Sequence, residues 1–431
     1  MLLYRILAAL GLLAYAPLAL VRSLAGRRRL GDLRGRLGRS GYPDLAGGIW
    51  VHAVSVGEVG VARDLLRAVG HLAPGLRLGL SATTEAGRNL AERIASDTAS
   101  VFAFPFDLSA PVERALSATR PGLVLLTETE IWPLFLERAQ RRGIPVALVN
   151  GRISPRSFGR YRLARGFIRR TLARVALFAM QSEPDAERIL ALGAAPDRVR
   201  VTGNVKYDLP AAPPFTDAVA VEAAAAGRPI LVAASTGEGE ETLVLSAWRP
   251  FAERCLLVLA PRRPERFDAV AELVQREGFD LVRRSRPPAP ITQSSDHPIT
   301  RSSVYLLDSI GELASAYGLG AFAFVGGSLI PSGGHNPIEA WAHGLPVATG
   351  PHMENFREIA RRGEEEGFLS RVSGVPELGA WIASCLDQPD SARSRGIRAR
   401  GFVAGNRGAA AATAELVLPL LRDAASDRAA R

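Results

Sequence analysis

Lysine is almost missing from this chain: its 431 residues contain one, Lys206, against 52 arginines. Ordinary surface positive charge is therefore supplied by arginine, and a compact ammonium at a single position differs chemically from the guanidinium forks around it. Cysteine is equally scarce. Cys255 and Cys385 lie far apart in sequence in apolar surroundings, which suits buried thiols in a reducing compartment better than a disulfide framework. No zinc-type Cys/His spacing and no Asp-x-Asp pair occurs. His335, His343 and His352 share one region, but they stand among glycine and proline turns, so no metal and no other cofactor is expected. The absence of a G-x-S-x-G elbow argues against a Ser-His-Asp hydrolase. Long apolar runs are lacking too: Ile6 to Val21 is 16 uncharged residues, slightly short of the roughly 20 that span a bilayer comfortably.

What is present describes a globular protein. Hydrophobic residues make up 47% and charged residues 22%, and the length suits two or three domains. The net charge of +10 is open to nucleic acid, a membrane surface or an acidic substrate. Its placement decides. Arg22, Arg27, Arg28, Arg29, Arg34, Arg36 and Arg39 follow the apolar run, and Arg156, Arg160, Arg162, Arg165, Arg169 and Arg170 form a second group. The first group has no aromatic among its arginines and neither comes with zinc-finger spacing, so no nucleic-acid partner is expected and anionic lipid is the better one. The basic flank favours keeping the following chain in the cytoplasm, which makes residues 1–30 an uncleaved N-terminal anchor that either crosses the bilayer or lies in one leaflet.

After the anchor, short apolar runs alternate with helical patterns. Ile49 to Val54, Leu76 to Ser81, Leu123 to Thr127, Pro145 to Asn150, Leu177 to Gln181 and Val199 to Thr202 have the length of buried parallel strands, which makes 31–209 one doubly wound α/β domain. Residues 210–228 read as an Ala- and Pro-rich linker. The alternation restarts with Ile230 to Ala234, Cys255 to Ala260, Val304 to Leu307, Ala321 to Val325 and Pro346 to Thr349, so 229–431 is a second doubly wound domain, with a C-terminal helix and a polar surface loop at Pro287 to Arg301. Two such domains facing each other share an interdomain cleft at their strand C-termini.

Most informative is the stretch from Gly326 to Asn355. It reads as a strand ending in a glycine pair, a loop with a second pair, and a helix opening at Asn336-Pro337 with Glu339 in its first turn. Glycines let backbone approach a phosphate and a helix N-terminus supplies complementary partial charge, while Glu339 suits sugar hydroxyls; a ribose-bearing nucleotide is the expected ligand. In the first domain, Glu58 lies on the turn after the first strand, in Ser-Val-Gly-Glu, where a cleft carboxylate can take a proton from an acceptor hydroxyl. Glu128 and Glu130 end another strand in Glu-Thr-Glu-Ile-Trp-Pro; Glu128 is the expected functional one, with Glu130 available to cap the next helix. Lys206 follows the last strand, in Thr-Gly-Asn-Val-Lys, poised for a substrate carboxylate or phosphate. Pro-Arg-Arg-Pro-Glu-Arg-Phe, from Pro261 and Arg262 on, offers bidentate phosphate contacts, and Ser309 with Glu312 resembles a capping box around Ile310 and Gly311.

These motifs, in this order from the anchor to near residue 410, resemble the 3-deoxy-D-manno-octulosonic acid (Kdo) transferases of lipopolysaccharide synthesis. The resemblance implies a GT-B glycosyltransferase anchored at the cytoplasmic face of the inner membrane, moving Kdo from CMP-Kdo to the tetraacyl lipid A precursor without metal. It implies Glu58 as general base, Glu128 and Lys206 as transition-state stabilisers, and CMP contacts from Pro261 and Arg262, Ile310, Gly311 and Glu312, and Asn336, Pro337, Ile338 and Glu339. Two alternatives stand beside it: a GT-B lipid glycosyltransferase using a UDP-sugar, and a membrane-associated nucleotide- or lipid-binding protein without activity.

Overall fold

Aliphatic runs too short for helices and apolar on both faces have one stable home, the centre of a parallel sheet covered on both sides. The computed structural model describes residues 4–6, 30–39, 41–285 and 303–429. Nearly all of the anchor run Ile6 to Val21, the arginines Arg22 to Arg29 after it and the polar stretch Pro287 to Arg301 lie outside the described residues. Among the described residues, no helix is long and apolar enough to cross a membrane.

The chain divides into two units, Met1–Asp208 with Asn406–Arg431, and Leu209–Gly405. In the first, β1 (Ile49–Ala53), β2 (Leu78–Ala82), β3 (Ser100–Ala103), β4 (Leu123–Thr127), β5 (Val146–Gly151), β6 (Leu177–Met180) and β7 (Val199–Val201) form a parallel sheet of order β3-β2-β1-β4-β5-β6-β7. Ile49 stands beside Leu78 on one side and Leu123 on the other. Strand alternation sorts the two cores. Ile49, Val51 and Ala53 pack with the helix Val56–Leu72, whereas Trp50 points to the other face, against Phe104 and Phe135. The order reverses between β1 and β4, so the ligand crevice of such a sheet opens at their C-terminal ends.

The C-terminal helix corrects the expected domain division. Ala409–Ala429 packs on the first unit: Ala410, Ala414, Val417 and Leu418 join Val61, Leu65 and Leu66 in one core, and the Asp208 carboxylate accepts from the N–H groups of Gly408 and Ala410 at the helix start. Periodicity marks a helix as amphipathic without saying whose core it covers.

In the second unit, β8 (Ile230–Thr236), β9 (Leu256–Pro261), β10 (Asp280–Arg283), β11 (Ser303–Leu306), β12 (Phe322–Val325), β13 (Val347–Thr349) and β14 (Leu369–Arg371) form a parallel sheet of order β10-β11-β9-β8-β12-β13-β14. Its reversal lies between β8 and β12. The expected linker belongs to this unit: Ala218–Ala225 is helical, the Tyr305 hydroxyl donates to Asp217, and Thr216 donates to Glu312 at 2.8 Å. Cys255 and Cys385 are free and buried, and burial pushes their thiols up to about 12 and about 11.

Candidate active site and donor loops

Glu58 occupies the first turn of the helix Val56–Leu72. It is 9% exposed, and its carboxylate is held on three sides: Oε2 accepts from the Val54 N–H at 2.8 Å and the Thr127 hydroxyl at 3.1 Å, and Oε1 from the Ser55 hydroxyl at 3.0 Å. Thr127 ends β4, and its one hydroxyl proton is shared between the carboxylate and the His52 carbonyl of β1, so the two strands at the reversal point fix the carboxylate between them. Burial raises its pKa, the nearby charge of Glu128 raises it further, and the three donors pull the other way. A solvated turn carboxylate has none of these features.

Glu128 leaves β4 with φ of +54°, a left-handed backbone that costs a non-glycine residue about 1–2 kcal/mol. Its carboxylate meets the sole lysine, with Lys206 Nζ 3.1 Å from Oε1, each side chain 19% exposed. Lys206 is positioned by amides the sequence reading passed over. Asn204 Oδ1 accepts from the Lys206 N–H, Asn150 Oδ1 from the Val205 N–H, Asn204 Nδ2 donates to Gln181 Oε1, and Gln181 Nε2 donates to the Asn150 carbonyl. Asn150 and Gln181 end β5 and follow β6; a polar side chain at each successive strand end was the available signal.

Glu130 does not cap the helix Pro133–Arg141. That is done by Asp107, whose carboxylate accepts from the N–H groups of Leu134 and Phe135 at 3.1 and 2.7 Å. Glu130 is instead pushed from 4.5 up to about 8, first by burial and then by the charges of Glu58 and Glu128. Between those two values the unfolded chain has released this proton while the folded protein keeps it, so stability is full below the lower value and falls as pH rises toward the upper one. Glu130→Gln is expected to flatten that fall and to raise stability near pH 8 by up to roughly 4 kcal/mol, read as melting temperature across pH. A wild-type melting temperature that does not decline more than the variant's over this window would refute the assignment.

In the second unit the first glycine pair is not an open anion cradle. The carboxylate of Glu240, fully buried, already accepts from the N–H groups of Gly237, Gly327, Ser328 and Leu329 at 3.0, 2.6, 3.0 and 2.8 Å. Neither Glu240 nor its neighbour Glu241 was foreseen as a site residue. Glu241, also fully buried, takes Arg266 in a bidentate pair at 2.6 and 3.1 Å. That removes one arginine of the Pro-Arg-Arg-Pro-Glu-Arg-Phe motif from ligand binding.

Pro261 is buried at the end of β9 and Arg262 is exposed beyond it, its N–H donating to the Thr236 carbonyl at 3.0 Å. Arg262, His335 and Glu339 come together. Burial and then the arginine's charge hold His335 down to about 4; burial raises Glu339, with Arg262 opposing. The expected helix start shifts. Asn336 Oδ1 accepts from the Ile338 N–H at 3.1 Å, but the helix runs only Ile338–Ala342, too short for a substantial dipole. Ile310 is 80% exposed, on a turn that Gly311 makes with φ of +89°. No capping box forms beside it: Glu312 pairs with Arg284 at 3.1 and 3.0 Å, and the short helix Leu313–Ala316 begins after it without a side-chain cap. A permanent cation holds a carboxylate more strongly than a backbone N–H does.

A family profile described as 3-deoxy-D-manno-octulosonic-acid transferase (kdotransferase) matches residues 27–209. The 3-deoxy-D-manno-octulosonic acid transferase of Haemophilus influenzae is 33% identical over 95% of this chain and 95% of its own length. The chain belongs to the Kdo transferase family. The transferase of Bordetella pertussis is 34% identical over 87% of this chain and 88% of its own. Among solved structures, UDP-GlcNAc 2-epimerase from Neisseria meningitidis is similar at TM-score 0.54 and 12% identity, covering 87% of this chain and 100% of that one, a likeness of fold.

As a Kdo transferase the chain is a glycosyltransferase of lipopolysaccharide core biosynthesis. Such an enzyme needs a base for an acceptor hydroxyl and cations for developing negative charge. In this Kdo transferase, Glu58, Glu128, Glu130 and Lys206 gather at the reversal point of one sheet, and Arg262 with the second glycine loop lies at strand ends of the other.

Proposed function

We propose that the chain transfers Kdo from CMP-Kdo to the tetraacyl lipid A precursor. The observation that carries this is Glu58: a buried carboxylate held by three donors at a sheet reversal point, its proton affinity raised, beside the Glu128–Lys206 pair. In this reading the units are the two halves of a GT-B transferase. Glu58 takes the proton of a lipid hydroxyl as its oxygen bonds to the anomeric carbon of Kdo; the bond from that carbon to the phosphate oxygen breaks, and CMP leaves with the electron pair. Lys206, oriented by Glu128, stabilises charge in the transition state. Pro261 and Arg262, Ile310 to Glu312 and Asn336 to Glu339 hold CMP, with Arg262 opposite the phosphate.

The acceptor side is supported by the arginines of the helices Pro155–Leu163 and Arg165–Leu172. Arg156, Arg160, Arg162, Arg165, Arg169 and Arg170 are all exposed, and Leu163 is 91% exposed, an arrangement suited to a lipid carrying phosphates. The first described residues are pinned beside them. The Tyr4 hydroxyl donates to Asp107 at 2.7 Å, Arg5 pairs with Glu137 at 2.8 Å, and the Tyr4 and Phe167 ring centroids lie 5.6 Å apart. An N-terminal anchor in the inner membrane would then leave the catalytic units on the cytoplasmic side with this basic surface toward the headgroups. Charge reversal at Arg160 and Arg162 is expected to raise the acceptor KM about tenfold with the donor KM unchanged; an unchanged acceptor KM would remove these arginines from the acceptor site.

Mass spectrometry of the tetraacyl lipid A precursor, after incubation with CMP-Kdo and the purified protein, tests the whole reading. Gain of Kdo with wild type and none with folded Glu58→Ala is the expected result. No gain with either overturns it.

A further inference from the structure

Glu240 does in this protein what a bound phosphate does in many nucleotide folds. Four backbone N–H groups converge on one point at the reversal of the second sheet, the geometry of an anion nest, and the anion there is a side chain of the protein itself. The fit is close on every side. A Cβ at Gly326 would lie 2.5 Å from Glu240 Oε2, so only glycine leaves room for the carboxylate. Ser328 extends the hold, its hydroxyl donating to the Val325 carbonyl at 2.6 Å and accepting from the Gly350 N–H at 2.8 Å.

The nest is connected to the loop proposed to hold CMP. The Gly334 N–H donates to the Gly327 carbonyl at 2.8 Å, joining the second glycine pair to a residue whose own N–H is bound by Glu240. Two residues beyond Gly334 the proposed nucleotide contacts begin at Asn336. We infer that Glu240 is a positioning residue that presets the donor loop from Gly327 to Glu339 before the nucleotide arrives, in place of an ordering step the nucleotide would otherwise have to drive. The inference rests on the donor reading above.

Its test exploits the carboxylate-shaped space that Glu240→Ala leaves among four N–H donors. Calorimetric binding of CMP to the full-length protein is measured for wild type, Glu240→Ala and Glu240→Gln, with and without sodium formate, alongside hydrogen exchange of the Gly327, Ser328 and Leu329 amides. Glu240→Ala is expected to bind CMP about tenfold or more weakly and to exchange these amides faster, both reversed by formate but not by chloride; Glu240→Gln, which keeps one acceptor oxygen, falls between. Wild-type affinity in Glu240→Ala overturns the inference, as does weaker binding with unchanged amide exchange and no response to formate. If the alanine variant fails to fold, the glutamine variant carries the same two readouts, and wild-type values for both overturn the inference. Wild type that binds no CMP refutes the donor reading, while the exchange data still decide whether Glu240 holds the loop.

Discussion

Glu58→Gln is expected to lower kcat about 10²–10⁴-fold, the usual contribution of a positioned general base, with melting temperature and CMP affinity close to wild type. Glutamine matches the carboxylate in shape: its oxygen accepts from Val54 and Thr127 at the Oε2 position, and its amide N–H donates to a rotated Ser55 hydroxyl at the Oε1 position, so the loss reports chemistry. The pH dependence follows from the same site. Burial and the Glu128 charge raise the pKa of Glu58, and a base works only when deprotonated. Activity therefore falls as pH drops through that raised value, so the acidic limb of the kcat/KM profile lies above the ordinary carboxylate range. Glu130, pushed to about 8 partly by Glu58, titrates with it, and the limb reports the pair. A folded glutamine variant retaining more than about a tenth of wild-type kcat would exclude Glu58 as the base.

Lys206→Met is expected to cost about 10²–10³ in kcat, the magnitude found when one preorganised electrostatic contact to a transition state is removed. It also strips the Glu128 carboxylate of the cation 3.1 Å away. The charge of Glu128 then acts more strongly on Glu58, so the acidic limb of the variant's pH profile moves to still higher pH. Lys206→Arg is expected to recover no more than about tenfold, because a planar guanidinium does not fit the half-buried space of a point charge on a slender stem. Steady-state kinetics across pH measure both effects. A methionine variant within about threefold of wild type, with an unshifted limb, would make the ion pair structural only.

The central strands were legible because burial on both faces leaves nothing but apolar residues: β1, β4, β5, β8 and β12 are found within a residue or two of their apolar runs. Of the four edge strands, β7 shows as the run Val199 to Thr202, whereas β3, β10 and β14 escaped notice. Ser100–Ala103, Asp280–Arg283 and Leu369–Arg371 include polar or exposed positions, since an edge strand is only partly covered and carries no continuous apolar signature. At the candidate site the same logic holds. Glu58, Glu128 and Lys206 stood out as charged residues directly after apolar strands. Asn150 and Gln181, equally placed, carry no charge to draw attention.

Strand periodicity and the strand-to-helix turn are local properties of the chain, so the two doubly wound sheets, the strand ends where their loops gather and the charged groups available there can be read without coordinates. Which of those groups act on one another depends on the long-range packing of the fold. Glu240 meets its loop from 87 residues away in sequence, Asp107 caps a helix 27 residues later, and the last helix returns to the first unit instead of the second. Buried N–H groups and carboxylates must find partners wherever the fold brings them, and that choice among distant partners is not written in any local pattern.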